Sequence, residues 1–171
     1  MGGQGHDTID LVVNGARLAE AEATDLRVLE RPLKSLALAD SPVLLRGAPE
    51  DCRHVVQRLH ELGRRSQFPL RICTEQAQAE PLFDLSSIAA LPTDAVAGTW
   101  ALYGVGSWPA ECQRRLIRAL DILDEGRLAG RLGHRDIPRI LVVMDPDLPG
   151  EALLENLSAR LSYFKLRLNR S

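Results

Sequence analysis

The stretch Gly47-Ala48-Pro49-Glu50-Asp51-Cys52-Arg53-His54 follows a short apolar run and precedes a segment of helical periodicity, which is where a chain can wrap a phosphate. A loop that does so reads glycine, any four residues, glycine, lysine, then serine or threonine. Its backbone amides face the phosphate while the lysine and the hydroxyl support phosphate and magnesium. Of that pattern Gly47 is present, whereas Cys52 stands at the second glycine, Arg53 at the lysine and His54 at the hydroxyl. Cys52 lacks the freedom of glycine to adopt positive φ. Glu50 and Asp51 would repel a bound phosphate, by about 1 kcal/mol at 4 Å in water-like dielectric and roughly 4 kcal/mol at an effective dielectric near 20. Arg53 is a good bidentate phosphate donor, but it could equally pair with Glu50 or another carboxylate. The favoured expectation is a structural loop, with Asp51 capping the following helix for about 1 kcal/mol.

A second stretch, Gly98-Thr99-Trp100-Ala101-Leu102-Tyr103-Gly104-Val105-Gly106-Ser107-Trp108-Pro109, has the apolar character of a strand leading into a helix. A strand end that held magnesium and polarised water would need a pair of carboxylates, and none is present. Tyr103 carries a phenol of pKa about 10 and Gly104 has no side chain, so neither supplies base chemistry at neutral pH. His6, His54, His60 and His134 form no HExxH or other ligand array, and the spacing of His54 and His60 is not that of a shared helical face. Cys52 near His54 lacks a third orienting group for a thiol nucleophile. No catalytic residue, metal or cofactor is therefore expected.

These stretches sit in a chain of 171 residues, 45% hydrophobic and 26% charged, which suits a single folded domain. Net charge is −2 and the pI near 6.1, so no nucleic-acid partner is expected despite Arg64-Arg65 and the Arg114, Arg115 and Arg118 face. Cys52, Cys73 and Cys112 share no ligand spacing and read as reduced thiols of a cytoplasmic protein. No run reaches the about 18 apolar residues of a membrane span, and the start has no secretory signal pattern.

Residues 1–40 read as a mobile glycine-rich start, Met1 to Asp7, and lead-in elements: strands at Asp10–Val13 and Leu26–Leu29, and a helix at Leu33–Ala39. Residues 41–171 read as the core. Strands are predicted at Pro42–Arg46, Phe68–Cys73, Thr99–Val105, Arg139–Met144 and Tyr163–Leu168. Helices are predicted from Asp51 to Leu62, from Pro109 onward through Leu116, Leu120 and Leu123, and from about Glu151 to Leu161. The alternation implies a three-layer α/β domain with a mainly parallel sheet, whose ligands bind beyond the carboxyl ends of the strands.

From about Ser41 to Asn169 the chain resembles the AAA+ ATPase domain of sigma-54-dependent bacterial enhancer-binding transcription activators, a P-loop NTPase-like core. Ser41-Pro42-Val43-Leu44-Leu45-Arg46-Gly47 is similar to the first strand and phosphate-loop entry. Gly98-Thr99, Leu102, Gly106 and Pro109 resemble the frame around the acidic pair, followed by a helix with Gln113, Leu116, Arg118, Ala119 and Leu120. Arg139 to Leu148 resembles the sensor strand, with Asp145 where the family has asparagine. Leu157, Arg160, Leu161 and Phe164 resemble the end of the core, and Arg160 falls on an arginine that in the family points toward a neighbouring subunit's nucleotide. Residues Leu85 to Ala97 carry no GAFTGA-type sigma-contact motif, and the helical lid of the family is not found before Ser171.

The resemblance, with its altered loop and missing acidic pair, implies a pseudo-ATPase: a non-catalytic AAA+-like scaffold or regulatory module binding a protein partner, either itself or an active AAA+ relative. Trp100, Trp108 and Arg160 are the candidate contact residues, with Tyr103 beside them. The alternative is a divergent ATP-binding protein, or a transcription regulator acting through an active AAA+ relative.

Overall fold

An apolar run covered on both faces belongs inside a sheet, and Arg139–Met144 is buried at every position. A computed structural model describes residues 8–13, 16–22, 26–85, 96–128, 137–145, 152–161 and 164–169. Its strands are β1 (Thr8–Val13), β2 (Ala16–Glu22), β3 (Val43–Arg46), β4 (Leu70–Cys73), β5 (Thr99–Tyr103), β6 (Arg139–Met144) and β7 (Phe164–Asn169). They lie side by side in the order β2-β1-β7-β3-β6-β5-β4. From β7 to β4 every neighbouring pair is parallel. β1 and β2 form a hairpin whose β1 pairs antiparallel with β7. The described helices are α1 (Leu26–Leu38), α2 (Pro49–Leu62), α3 (Glu80–Phe83), α4 (Ala110–Leu128) and α5 (Glu155–Arg160), with a 3-10 turn at Gln76–Ala79 leading into α3.

Side chains alternate along the central strands and divide the core in two. Val43 and Leu45 of β3, Ala101 of β5, and Leu141 and Val143 of β6 face Leu33 and Leu36 of α1 and Cys52, Val55, Val56 and Leu59 of α2. On the other face Leu44, Trp100, Leu102, Ile140 and Val142 meet Leu82 and Phe83 of α3, Leu116, Leu120 and Leu123 of α4, and Leu157 of α5. Each buried leucine or isoleucine contributes about 1.5–3 kcal/mol. The three-layer α/β architecture predicted from the alternation is present. Among the described residues no helical lid stands over the sheet's carboxyl edge.

Three local expectations need correction. Leu26–Leu29 is the first turn of α1 rather than a strand; Leu26, Leu29, Leu33 and Leu36 follow helical spacing. Pro32 inside that helix is the residue type expected to break one. Asp51 does not cap α2, because the helix begins at Pro49 with Ala48 in the extended N-cap position and no side-chain capping bond. Proline at the first helical position has its φ already set for the helix. Strand β5 ends at Tyr103 rather than Val105, since Gly104 takes left-handed φ of 72° and opens a 3-10 turn over Val105–Ser107. Met1–Asp7, expected to be mobile, residues 86–95 of the segment compared for the sigma-contact loop, and Glu151 lie outside the described residues.

Buried polar groups tie the helices to the segments packed against them. Gln113, nearly inaccessible on α4, donates to the carbonyls of Trp108 and Ala152 at 3.1 Å each and accepts from the amide of Leu154 at 2.8 Å. Arg139, 3% exposed, donates to the carbonyls of Ala37 and Leu36 at the end of α1, at 2.6 and 2.5 Å.

Candidate functional site

Two residues, Gly47 and Ala48, separate β3 from α2. The amide of Gly47 is bonded to the carbonyl of Met144 at 3.0 Å, and that of Cys52 to Ala48 at 3.0 Å. Glu50, Asp51 and Cys52 are thus helical residues, and from Pro49 onward the positions compared with a phosphate loop belong to the first turns of a helix. Cys52 is fully buried in the core beneath α2. Burial first, then the charges of Asp51 and Asp145, pushes its thiol up to about 12, so it is inert as a nucleophile at neutral pH.

The strand registers bring the remaining sequence-chosen positions to one edge. Arg46 lies opposite Met144 and Tyr103 opposite Val143, so Gly47, Gly104 and Asp145 follow directly at the carboxyl ends of adjacent strands. The Gly104 amide faces the Val143 carbonyl at 3.4 Å.

Beside them a cavity of about 510 Å³ opens between the start of α2 and the carboxyl ends of β4 and β5. Pro49, Glu50, Arg53, His54, Ile72, Thr74 and Tyr103 line it. Glu50, Arg53 and His54 are exposed along one side of α2. Tyr103 packs half-buried against the cluster under α2. Burial raises its phenol, reinforced by Cys52 and partly countered by Arg53, so it is a neutral hydrogen-bonding group at pH 7. The far wall is fixed by Gln78, whose side-chain carbonyl accepts from the amides of Thr74 at 2.7 Å and Glu75 at 3.1 Å. From the described residues the cavity therefore presents an aromatic ring, an isoleucine, a hydroxyl, an imidazole, one guanidinium and one carboxylate. It can hold a small polar ligand with a flat apolar part.

Pro49, Ile72 and Thr74 were missed by sequence reasoning. Their signal is the topology, since β4 must lie beside β5 before its end becomes a wall. Among the described residues no three His, Cys, Asp or Glu side chains gather as a metal site.

The tryptophans proposed as contact residues are core residues. Trp100 is 2% exposed, its indole N–H donates to Val96 at 3.0 Å, and Arg71 stacks 4.9 Å from its ring. Trp108 is 8% exposed and meets Phe83 edge to face at 6.0 Å. Strand β5 is covered on both faces, which is why aromatic size there reports packing. Arg160 is engaged within the chain, its guanidinium 2.5 Å from Asp121 and 2.7 Å from Asp124 on α4. It borders a smaller cavity of about 240 Å³ with Ser41, Pro42, Leu120, Asp124 and Arg127.

No protein-family model matches the chain, and no curated protein sequence does. Solved structures do match. The P-loop NTPase domain of the sigma-54 transport activator from E. coli superposes with a TM-score of 0.57 at 22% identity, over 84% of this chain and 93% of that one. NtrX from Brucella abortus in complex with ATP matches with a TM-score of 0.59 at 18% identity, over 87% of this chain. The same protein with ADP gives 0.58 at 20% identity over 89%. This chain spans 36% and 37% of those two NtrX chains. The fold is that of a P-loop NTPase, AAA+-like domain. The expectation of a non-catalytic scaffold and pseudo-ATPase is overturned by the complexes of NtrX, which shares this fold over part of its length, with ATP and with ADP. Substituted loop positions were too narrow a ground for it, since the carboxyl edge retains a ligand-sized cavity that the loop motif does not describe.

Proposed function

We propose that the chain is a divergent ATP-binding regulatory protein, with nucleotide held in the cavity between α2 and the ends of β4 and β5. The cavity itself carries this reading. It has a volume of about 510 Å³ and a guanidinium, Arg53, in its lining. It also lies outside the carboxyl ends of a parallel sheet, the edge at which such sheets bind ligands, and its size is that of ordinary small-molecule sites. The ATP and ADP complexes of NtrX support the choice of ligand.

Calorimetry with ATP, with and without magnesium, tests the proposal, paired with thermal unfolding. A dissociation constant on the order of 0.1 mM would stabilise the fold by about 1.4 kcal/mol at 1 mM ATP. Arg53→Ala is expected to weaken binding about tenfold, the loss of one charge-assisted contact. Absence of both heat and stabilisation at millimolar ATP would reject the reading.

A protein partner, either a second copy or an active AAA+ relative, and a cytoplasmic location belong to the same proposal. No described helix is long and apolar enough to cross a membrane. The partner is tested by mixing the chain with such a relative, with and without ATP, and following the assembly's mass; unchanged masses in all mixtures and for the chain alone would remove this part.

A further inference from the structure

We infer, on the reading that this cavity binds nucleotide, that it grips the nucleoside and its first phosphate and leaves the rest of the polyphosphate in solvent. A polyphosphate is held by successive backbone amides, and the run of amides at the start of α2 is interrupted. The Gly47 and Cys52 amides are spent on Met144 and Ala48, and Pro49 has none. Glu50 and Asp51 place carboxylates in the first turn of α2, where they oppose a chain of negative charge.

The cavity offers the complementary features. Ile72 is 42% exposed on β4, a large apolar side chain with one face open to the cavity. Tyr103 lines the same cavity from the neighbouring strand β5, its ring packed on the core beneath α2. Together with Pro49 they make apolar walls for a base, while Thr74 and His54 supply polar contacts. Among the described residues Arg53 is the single guanidinium in the lining and Glu50 the single carboxylate. That balance suits one phosphate better than three.

The experiment is calorimetric titration of the full chain with adenosine, AMP, ADP, ATP and inorganic tripolyphosphate. AMP, ADP and ATP are expected to bind within about threefold of one another, adenosine about tenfold more weakly than AMP, and tripolyphosphate not to compete at millimolar concentration. Arg53→Gln should bring AMP down to the affinity of adenosine. Tyr103→Leu should weaken AMP and adenosine alike by about tenfold, as loss of a base-stacking ring does. Because Tyr103 also packs on the core, Ile72→Asp on the exposed face provides a second variant with the same expected loss, and both are checked for an unchanged unfolding profile. ATP more than tenfold tighter than AMP, or competition by tripolyphosphate, would overturn this inference and leave ATP binding standing. Failure of every nucleotide to bind would remove both.

Discussion

Replacing Arg139 with methionine takes away the guanidinium that ends α1. Arg139 is 3% exposed and donates to Ala37 and Leu36 at 2.6 and 2.5 Å. Its burial, together with Arg65 nearby, lowers its pKa from 12.5 to about 10, a cost of about 3 kcal/mol at 1.36 kcal/mol per tenfold. Two hydrogen bonds from a charged donor contribute about 1.5–3 kcal/mol each, so at the low end they cancel that cost. What decides the outcome is the carbonyl of Ala37, because that of Leu36 still accepts from the amide of Ala39 at 3.2 Å. Ala37 is 2% exposed, and an unpaired buried carbonyl costs about 1–3 kcal/mol. The variant should lose about 2 kcal/mol. In urea, with a slope of about 2 kcal/mol/M, the midpoint should fall by about 1 M. Arg139→Lys, which keeps the charge but lacks the fork, should fall between wild type and Arg139→Met. A methionine variant within about 1 kcal/mol of wild type, or more stable, would show that desolvation of the guanidinium outweighs the bonds it makes, as it does for some buried charges.

Acid should weaken the fold through Asp40. Partial burial alone would raise its carboxyl, but the bond from Arg65 and the charges of Arg65, Arg64 and Arg139 outweigh burial and hold it below 3.8. A folded pKa below the unfolded one means the stabilisation is present above about pH 4 and is lost as pH falls through the folded value. The stability gap between wild type and Asp40→Asn in urea should therefore close between about pH 5 and about pH 2; a gap that stays constant across that range would contradict the pairing. Thiol chemistry separates the cysteines. Cys52 and Cys73 are buried and their thiols are raised mainly by burial, so a disulfide reagent should modify Cys112 in the folded protein and reach the other two upon unfolding. Rapid modification of Cys52 under native conditions would refute its place beneath α2.

Much of the sheet was legible because burial on both faces writes itself as an unbroken apolar run, and Arg139–Met144 is that case. The order of strands is carried by contacts between distant segments, which no local pattern encodes. The hairpin of β1 and β2 went half seen: Asn14-Gly15 between two short runs was the available signal, but Ala16–Glu22 is too polar to announce a strand. The tryptophans misled because aromatic size signals interfaces and cores equally, and their placement on β5 and ahead of α4 decides for the core. The loop misled differently. Its residues were read against a motif, while the helix starting at Pro49 had already used them. The cavity then draws on α2, β4 and β5, three separated segments, and could be assembled only once their neighbours were known.

The hairpin's place in the sheet also bears on the time the molecule takes to form. β1 pairs with β7 from Thr8 opposite Asn169 to Val13 opposite Phe164, so nearly the whole chain is looped out between partners. Closing a loop on the order of 150 residues costs about 4 kcal/mol in chain entropy beyond a constant. β7 is held on its other side by β3, so the parallel strands can gather first and present β7 as a template. Until they do, the hairpin waits with an unpaired edge, and it is during that interval, rather than in the finished protein, that the chain is most open to pairing with its neighbours.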